Sequence, residues 1–150
     1  MQHIPWDGDM AEFPEPLRRY LRPGHVFDSS SSAEATVYYS DIGQGCYIKK
    51  ARHGALRNEA AMTRYFHDKG LSAAVLHYGQ DHDGNDWLAT ACLPGDDCTA
   101  SLYVREPERL AAVLGRRLRM LHEQDPTGCP VSNLSLIHIS EPTRPERTSY

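Results

Sequence analysis

The sequence lacks the features that mark several classes of protein. Its four cysteines, Cys46, Cys92, Cys98 and Cys129, form no C-x-x-C pair. This spacing indicates free, reduced thiols in a cytoplasmic protein and argues against a zinc site. The first residues have neither a basic region nor an apolar run, so we expect no secretion signal. No stretch approaches the roughly 20 apolar residues of a membrane span, so no membrane partner is expected.

Excess positive charge and the common nucleotide-binding glycine motifs are also missing. The formal net charge of −4 argues against a nucleic-acid partner and is compatible with a cationic ligand. Neither a Walker A loop nor a G-x-G-x-x-G sequence occurs. What remains is a composition with 40% hydrophobic residues over 150 positions, which is typical of a globular domain with a core of its own.

Periodicity and turn residues predict a helix, three strands, a helix, two strands, a linker and a helix. The predicted helices cover residues 14–21, 55–68 and 107–123. The predicted strands cover residues 25–27, 35–39, 46–49, 74–78 and 87–91, and a breaker cluster at 93–97 forms the linker. This order predicts an α+β fold, in which a small antiparallel sheet carries one packed helix and leads into a helical region.

One acidic residue interrupts the apolar stripe of the second predicted helix. Glu59 lies between Leu56, Met62 and Phe66 at helical spacing, so its carboxylate should face the protein and need a cationic partner. Lys49 on the preceding strand is a candidate partner, and such a pair would hold an ammonium ready for phosphate oxygens. By spacing alone, a partly exposed Glu59 and a solvated pair of lysines remain the simpler interpretation.

A run of four serines, residues 29–32, lies between two predicted strands. Its hydroxyl and backbone N–H groups could bind phosphate oxygens. A polar hairpin loop without a ligand is the simpler interpretation of the same residues.

Taken in order, several segments resemble the aminoglycoside phosphotransferases, most closely the 3′-phosphotransferase group. The resemblance covers residues 26–131, and the segment at 121–130 is similar to the L-H-x-x-D-x-x-x-C-P pattern of that group. The other matching segments are residues 32–38, 47–49, 58–62, 87–90 and 94–95. The resemblance implies a protein-kinase-like fold, with a sheet-containing N-lobe followed by the first helix of a helical C-lobe.

The resemblance also implies site residues. Lys49, or alternatively Lys50, would contact the α- and β-phosphates of ATP, and Glu59 would pair with that lysine. Ser31 and Ser32 would lie over the phosphates. The hinge that offers backbone groups to adenine would consist of Thr90, Ala91, Cys92 and Leu93.

The implied reaction transfers the γ-phosphoryl group of ATP to a hydroxyl of an aminoglycoside, which confers antibiotic resistance. Family members use a catalytic Asp in an H-G-D loop and further residues that bind Mg²⁺. No H-G-D sequence occurs in the 150 residues, so we expect no catalytic residue here and no activity from this chain alone.

The expected organisation has five parts. Residues 1–24 form an N-terminal helical segment, 25–92 the N-lobe, 93–97 the hinge and 98–133 the start of the C-lobe. Residues 134–150 are interpreted as a non-native tail, because 134–144 match the translation of a transposase-type sequencing-library adapter. A genuine short strand at 134–139 is the alternative.

Two other functions remain open from the sequence. The chain could be a non-catalytic kinase-like binding module that binds a partner through the surface normally covered by the C-lobe, although the exposed leucines of the last helix favour self-association or aggregation over a selected interface. It could also belong to a phosphotransferase for another hydroxyl, such as that of a macrolide or a small metabolite.

Overall fold

A computed structural model describes residues 3–30, 33–95, 98 and 101–131 of the chain. Six strands form one antiparallel sheet in the order β1-β2-β3-β4-β6-β5. The strands are β1 (Ile4–Pro5), β2 (Val26–Asp28), β3 (Ala35–Ser40), β4 (Cys46–Ala51), β5 (Val75–Gln80) and β6 (Asp86–Ala91). The helices are α1 (Glu15–Arg18), α2 (Arg57–Asp68), α3 (Ser101–Arg105) and α4 (Pro107–His122), with a 3₁₀ turn at Met10–Glu12. The predicted α+β class with an antiparallel sheet is therefore confirmed.

A tight hairpin joins β3 to β4 and fixes which residues lie opposite each other. Gly45 has a φ of +79°, a conformation that side chains rarely adopt, and an added Cβ would lie 3.2 Å from the Ser40 carbonyl oxygen. The resulting register pairs Val37 with Lys49 and Tyr38 with Ile48. Because side chains alternate along a strand, Val37 and Lys49 lie on one face of the sheet and Tyr38 and Ile48 on the other.

The face that bears Tyr38 and Ile48, termed the N-terminal face, is covered by residues 6–21. Trp87 and Ile48 lie at its centre and are 1% and 0% exposed. Phe13 packs against Trp87 with ring centroids 5.5 Å apart, and Leu17 is fully buried beside them. Residues 4–21 therefore complete the main core and add strand β1, and the helix predicted at 14–21 is shorter, spanning Glu15–Arg18.

The opposite face, termed the α2 face, is covered by helix α2. Leu56 and Ala60 are the buried residues at this contact, and they pack with Ala51 and Leu88. The end of α2 is closed by two backbone hydrogen bonds, from the Gly70 N–H to the His67 carbonyl and from the Leu71 N–H to the Phe66 carbonyl, both 2.8 Å long. This is the Schellman arrangement that the glycine predicts.

The helices after the linker differ from the prediction in one respect. Helix α4 matches the predicted helix closely, but the short helix α3 before it was not predicted. All four cysteines are free thiols, as their spacing predicts. None of the helices that the structure describes is long and apolar enough to cross a membrane.

Candidate functional site

The ion pair between Lys49 and Glu59 connects the sheet to helix α2. The Lys49 Nζ lies 2.8 Å from the Glu59 Oε2. The two side chains are 33% and 44% exposed, so the expectation of a carboxylate turned away from water is wrong. An ion pair this exposed contributes at most about 1 kcal/mol to stability. Its exposure leaves the ammonium accessible to a further anion.

The reason for the exposure is the rotation of α2 on the sheet. Ala60, not Met62 or Phe66, is the fully buried residue of this helix. Met62 and Phe66 are only partly buried, and Met62 contacts Cys129. The apolar stripe predicted on α2 is therefore divided between contacts with the sheet and contacts with residues near Cys129. Glu59 lies at the border of this stripe.

A buried carboxylate anchors the beginning of α2. Asp86 is 0% exposed, and its Oδ2 accepts the Leu56 N–H at 2.9 Å and the Tyr78 hydroxyl at 3.3 Å. Its Oδ1 accepts a hydrogen bond from Gln80 at 2.9 Å. Burial would raise the pKa of Asp86, but these hydrogen bonds outweigh it and lower the pKa below its ordinary value. Asp86 thus fixes the helix start from which Glu59 projects.

Lys50, the alternative lysine, lies on the N-terminal face. Its ammonium is 5.0 Å from the centroid of the Trp87 ring. The alternation along β4 therefore brings Lys49, and not Lys50, to Glu59.

A cavity of about 210 Å³ opens beside the ion pair on the α2 face. It combines an apolar surface with one ammonium, one carboxylate and three hydroxyl groups. Its lining residues are Ser29, Val37, Tyr47, Lys49, Glu59, Leu88 and Thr90. Among the predicted site residues, Lys49, Glu59 and Thr90 share this cavity.

Three lining residues were not assigned to the site from the sequence, namely Val37, Tyr47 and Leu88, and Ser29 was considered only as a member of the serine run. The β3–β4 register pairs Val37 with Lys49, and the β4–β6 register pairs Leu88 with Lys49. Alternation places Tyr47 on the same face as Lys49. The hairpin glycines and this alternation were the available signals for these three, because a correct register identifies cross-strand neighbours.

The buried hydroxyl of Ser29 differs from that of Ser30 in its hydrogen bonding. Ser29 is 4% exposed, and its Oγ forms no hydrogen bond within the described part of the chain. By contrast, the Ser30 Oγ accepts the Val37 N–H at 3.0 Å and so stabilises the loop. A buried hydroxyl left unpaired costs about 1–3 kcal/mol, so an acceptor or donor from a ligand would relieve it. Ser31 and Ser32 lie outside the described residues, and their position over phosphates stays a prediction.

The predicted hinge is the end of β6 and the two residues after it. The Ala91 N–H donates to the Ala74 carbonyl at 2.9 Å and the Cys92 N–H to the Gly45 carbonyl at 3.0 Å. These two donors are therefore engaged inside the fold. Cys92 and Leu93 border a separate cavity of about 320 Å³, and Leu93 is 60% exposed.

Two larger cavities lie elsewhere in the described part of the chain. One of about 510 Å³ lies at the edge of the N-terminal face, where Glu12, Arg18, Lys50 and Asp81 contribute to a charged lining. The other, of about 550 Å³, lies between the end of α2 and the leucines of α4. Neither contains the Lys49–Glu59 pair. In the described ranges, no group of three or more His, Cys, Asp or Glu residues could hold a metal ion.

Comparison with known proteins agrees with the resemblance seen in the sequence. The family model described as "Phosphotransferase enzyme family" matches residues 29–146. The chain is 37% identical over 123 residues to the protein named "Probable aminoglycoside 3′-phosphotransferase" of Lactococcus lactis subsp. lactis (strain IL1403). The match covers 82% of this chain and 47% of the relative, so the chain spans about half the length of the curated relative that it matches.

Proposed function

The chain belongs to the phosphotransferase enzyme family, and on that premise we propose that residues 25–92 form the ATP-binding N-lobe of an aminoglycoside O-phosphotransferase. The observation that carries the proposal is the accessible Lys49–Glu59 ion pair beside a cavity on the α2 face. A lysine on a sheet strand, paired with a helix glutamate, is how kinase-like enzymes hold ATP phosphates. In this proposal residues 93–97 are the linker that follows the hinge residue Cys92, and 98–133 begin the C-lobe.

Lys49 would donate charge-assisted hydrogen bonds to the α- and β-phosphates. Glu59 fixes the lysine side chain, because its carboxylate accepts one of the three ammonium N–H groups and leaves the others for the nucleotide. The Ser29 hydroxyl, which forms no hydrogen bond with a described residue, lies in the same cavity and would supply one more hydrogen bond. Ser31 and Ser32 would extend this loop over the phosphates.

The adenine would lie toward the end of β6. Thr90 shares the cavity with Lys49, which gives a continuous path along this face from the phosphates to the hinge. Since the N–H groups of Ala91 and Cys92 are engaged within the fold, Leu93 carries the next main-chain groups that could meet the base. This assignment uses backbone atoms and so allows the side chains of the hinge to vary.

Phosphoryl transfer needs more than nucleotide binding. A base for the attacking hydroxyl and metal ligands complete the family reaction. The 150 residues contain no H-G-D sequence, and the described ranges hold no group of three or more His, Cys, Asp or Glu residues that could hold a metal ion. We therefore propose that this chain binds nucleotide without transferring phosphate, and that in a whole enzyme the acceptor is an aminoglycoside hydroxyl.

One observation favours a second function, that of a non-catalytic binding module. Leu114, Leu118 and Leu121 on α4 are 43%, 55% and 40% exposed beside the 550 Å³ groove. Adjacent exposed leucines mark association surfaces. Concentration-dependent self-association without nucleotide binding would favour this module over the phosphotransferase proposal. A phosphotransferase for another hydroxyl would retain the Lys49 site and differ only in the acceptor.

The direct test is nucleotide binding by the 150-residue chain and by Lys49→Met, measured by titration with a fluorescent ATP analogue. Loss of the ammonium removes its hydrogen bonds to phosphate, so we expect affinity to fall about 10-fold or more. Because the ion pair is partly exposed, the melting temperature should change little.

Lys50→Met is the matched control, since it removes the same charge one residue away on the opposite face. Its affinity should stay within about twofold of the original chain. Equal losses in both variants would indicate a general charge effect and overturn the assignment of Lys49. A parallel assay with ATP and a kanamycin-type acceptor should show no phosphorylated product, and product formation would contradict the proposed inactivity.

A further inference from the structure

Residues 125–129, termed the 125–129 loop, contact the outer side of helix α2. The carbonyl oxygen of Asp125 accepts hydrogen bonds from the Tyr65 hydroxyl at 2.8 Å and from the Lys69 ammonium at 3.2 Å. Four residues further along, the Cys129 Sγ lies 3.7 Å from the Met62 Sδ in a partly buried contact. The loop thus contacts Met62 and Tyr65 of α2 and Lys69, which caps the end of the helix.

The loop is internally braced. The Asp125 Oδ1 accepts the Thr127 N–H at 2.9 Å and the Thr127 hydroxyl at 2.8 Å. The Cys129 N–H donates to the Pro126 carbonyl at 3.0 Å. A loop held by its own hydrogen bonds can act as a fixed support, because its contact atoms do not move independently.

The contacted residues continue the helix side that bears Glu59. Residues three or four apart on a helix are neighbours on its surface, which places Met62 next to Glu59 and Lys69 beyond Phe66. At the other end, α2 is fixed by the Asp86–Leu56 hydrogen bond and by buried Ala60. The sheet therefore holds the beginning of α2, and the 125–129 loop contacts its later turns.

We propose that the 125–129 loop is a positioning element that sets the rotation of α2 and so keeps Glu59 on Lys49. Rotation of a helix by one residue position, about 100°, would carry the Glu59 carboxylate out of reach of the strand lysine. The inference rests on the proposed nucleotide site, and it adds that nucleotide affinity depends on contacts made outside the cavity. None of the three contacted side chains lines that cavity.

The test uses the double variant Tyr65→Phe/Cys129→Ala in the 150-residue chain. It removes one hydroxyl donor and one sulfur contact without touching the cavity. The matched control is Tyr103→Phe/Cys98→Ala. It removes the same two chemical groups, a tyrosine hydroxyl and a cysteine thiol, from residues outside both α2 and the 125–129 loop. Amide hydrogen exchange of residues 61–68, without nucleotide, reports on the helix itself, and we expect it to rise about fivefold or more only in the test variant.

Nucleotide affinity is then measured in the same two variants and again in a Glu59→Gln background. If the loop acts through the ion pair, the test variant should bind the fluorescent ATP analogue about three- to tenfold more weakly. This loss should vanish once Glu59 is already replaced. A general loss of stability would persist in both backgrounds.

Unchanged exchange in α2 would overturn the inference whatever the affinities. Faster exchange with unchanged affinity, or a loss of affinity that persists in Glu59→Gln, would also overturn it. If the unmodified chain binds no nucleotide, the proposed function fails, and the exchange data alone then decide whether the loop holds α2.

Discussion

Residues 6–21 pack against one face of the sheet, and helix α2 packs against the other. The first face is packed more completely than the second. At the N-terminal face, Phe13, Trp87 and Ile48 interlock and are 1% exposed or less. On the α2 face, Leu56 and Ala60 cover only one end, and the cavity with Lys49 and Thr90 remains beside them. A single sheet thus separates the residues that stabilise the fold from those proposed to bind nucleotide.

The difference between the two faces has a physical basis in side-chain alternation. Neighbouring residues of β4 and β6 point to opposite faces. Ile48 and Trp87 can therefore pack in the core while Lys49 and Leu88 line the candidate site. Substitutions at adjacent positions should therefore have different consequences. Three substitutions test this separation. The expected loss in the free energy of unfolding decreases from Trp87 through Asp86 to Asp81.

Trp87→Ala should give the largest loss of stability. The side chain is 1% exposed and packs on Phe13 and Tyr38, so its truncation leaves a cavity and should lower the free energy of unfolding by about 3–5 kcal/mol. Urea unfolding measures the change. At a temperature where the variant is still folded, its affinity for the ATP analogue should remain within about threefold. A specific loss of binding without loss of stability would break the separation of the two faces.

Asp86→Ala should affect both properties. It leaves the Leu56 N–H without its acceptor and removes the partner of Gln80, which should lower the free energy of unfolding by about 2–3 kcal/mol. Because Asp86 also fixes the start of α2, nucleotide affinity should fall as well. Amide exchange in the first residues of α2 checks the cause, and a variant with unaltered exchange there would contradict the anchoring role.

Asp81 should make the free energy of unfolding depend on pH in the acid range. Burial raises its pKa, but hydrogen bonds from the Trp87 indole and from Asn85 and Asp83 outweigh burial and lower it to about 2. Because the folded pKa lies below the ordinary value of 3.8, the stabilisation is present above about pH 4 and is lost as pH falls through about 2. After screening by solvent, the contribution is on the order of 1–2 kcal/mol.

The measurement is urea unfolding of the original chain and of Asp81→Asn at several pH values. The stability difference between them should narrow between about pH 4 and pH 2. A constant difference over that range would show that the carboxylate is not stabilised in the folded state. Since Asp81 lies in the β5–β6 turn and does not line the cavity beside Lys49, nucleotide affinity at neutral pH should change little.

Several elements of the fold could be predicted because their signals are local. The hairpin glycines between β3 and β4, the glycine after α2 and the apolar periodicity of α4 each determine a backbone conformation within a few residues. The α+β class followed from their order. Strand β1 and helix α3 were missed, since two to five residues carry too little periodicity to identify an element.

The candidate site was predictable in part. Spacing offered the pairing of a lysine on β4 with Glu59 only beside the simpler interpretation of solvated lysines, and the family resemblance implied both the pair and its role. Ser29 could not be distinguished from Ser30 by sequence, because both belong to one run of serines. Only the position of the loop leaves the hydroxyl of Ser29 without a hydrogen bond to any described residue and uses that of Ser30 for the Val37 N–H.

By itself, the sequence determined the family, the order of the main elements and the alternation that puts Lys49 and Lys50 on opposite faces. These depend on residue identity and on spacing along the chain. Only the tertiary structure decided that Lys49 meets Glu59, that Glu59 stays partly exposed, and that Met62 contacts the 125–129 loop. The rotation of α2 depends on packing against residues up to 67 positions away, which no local pattern can specify.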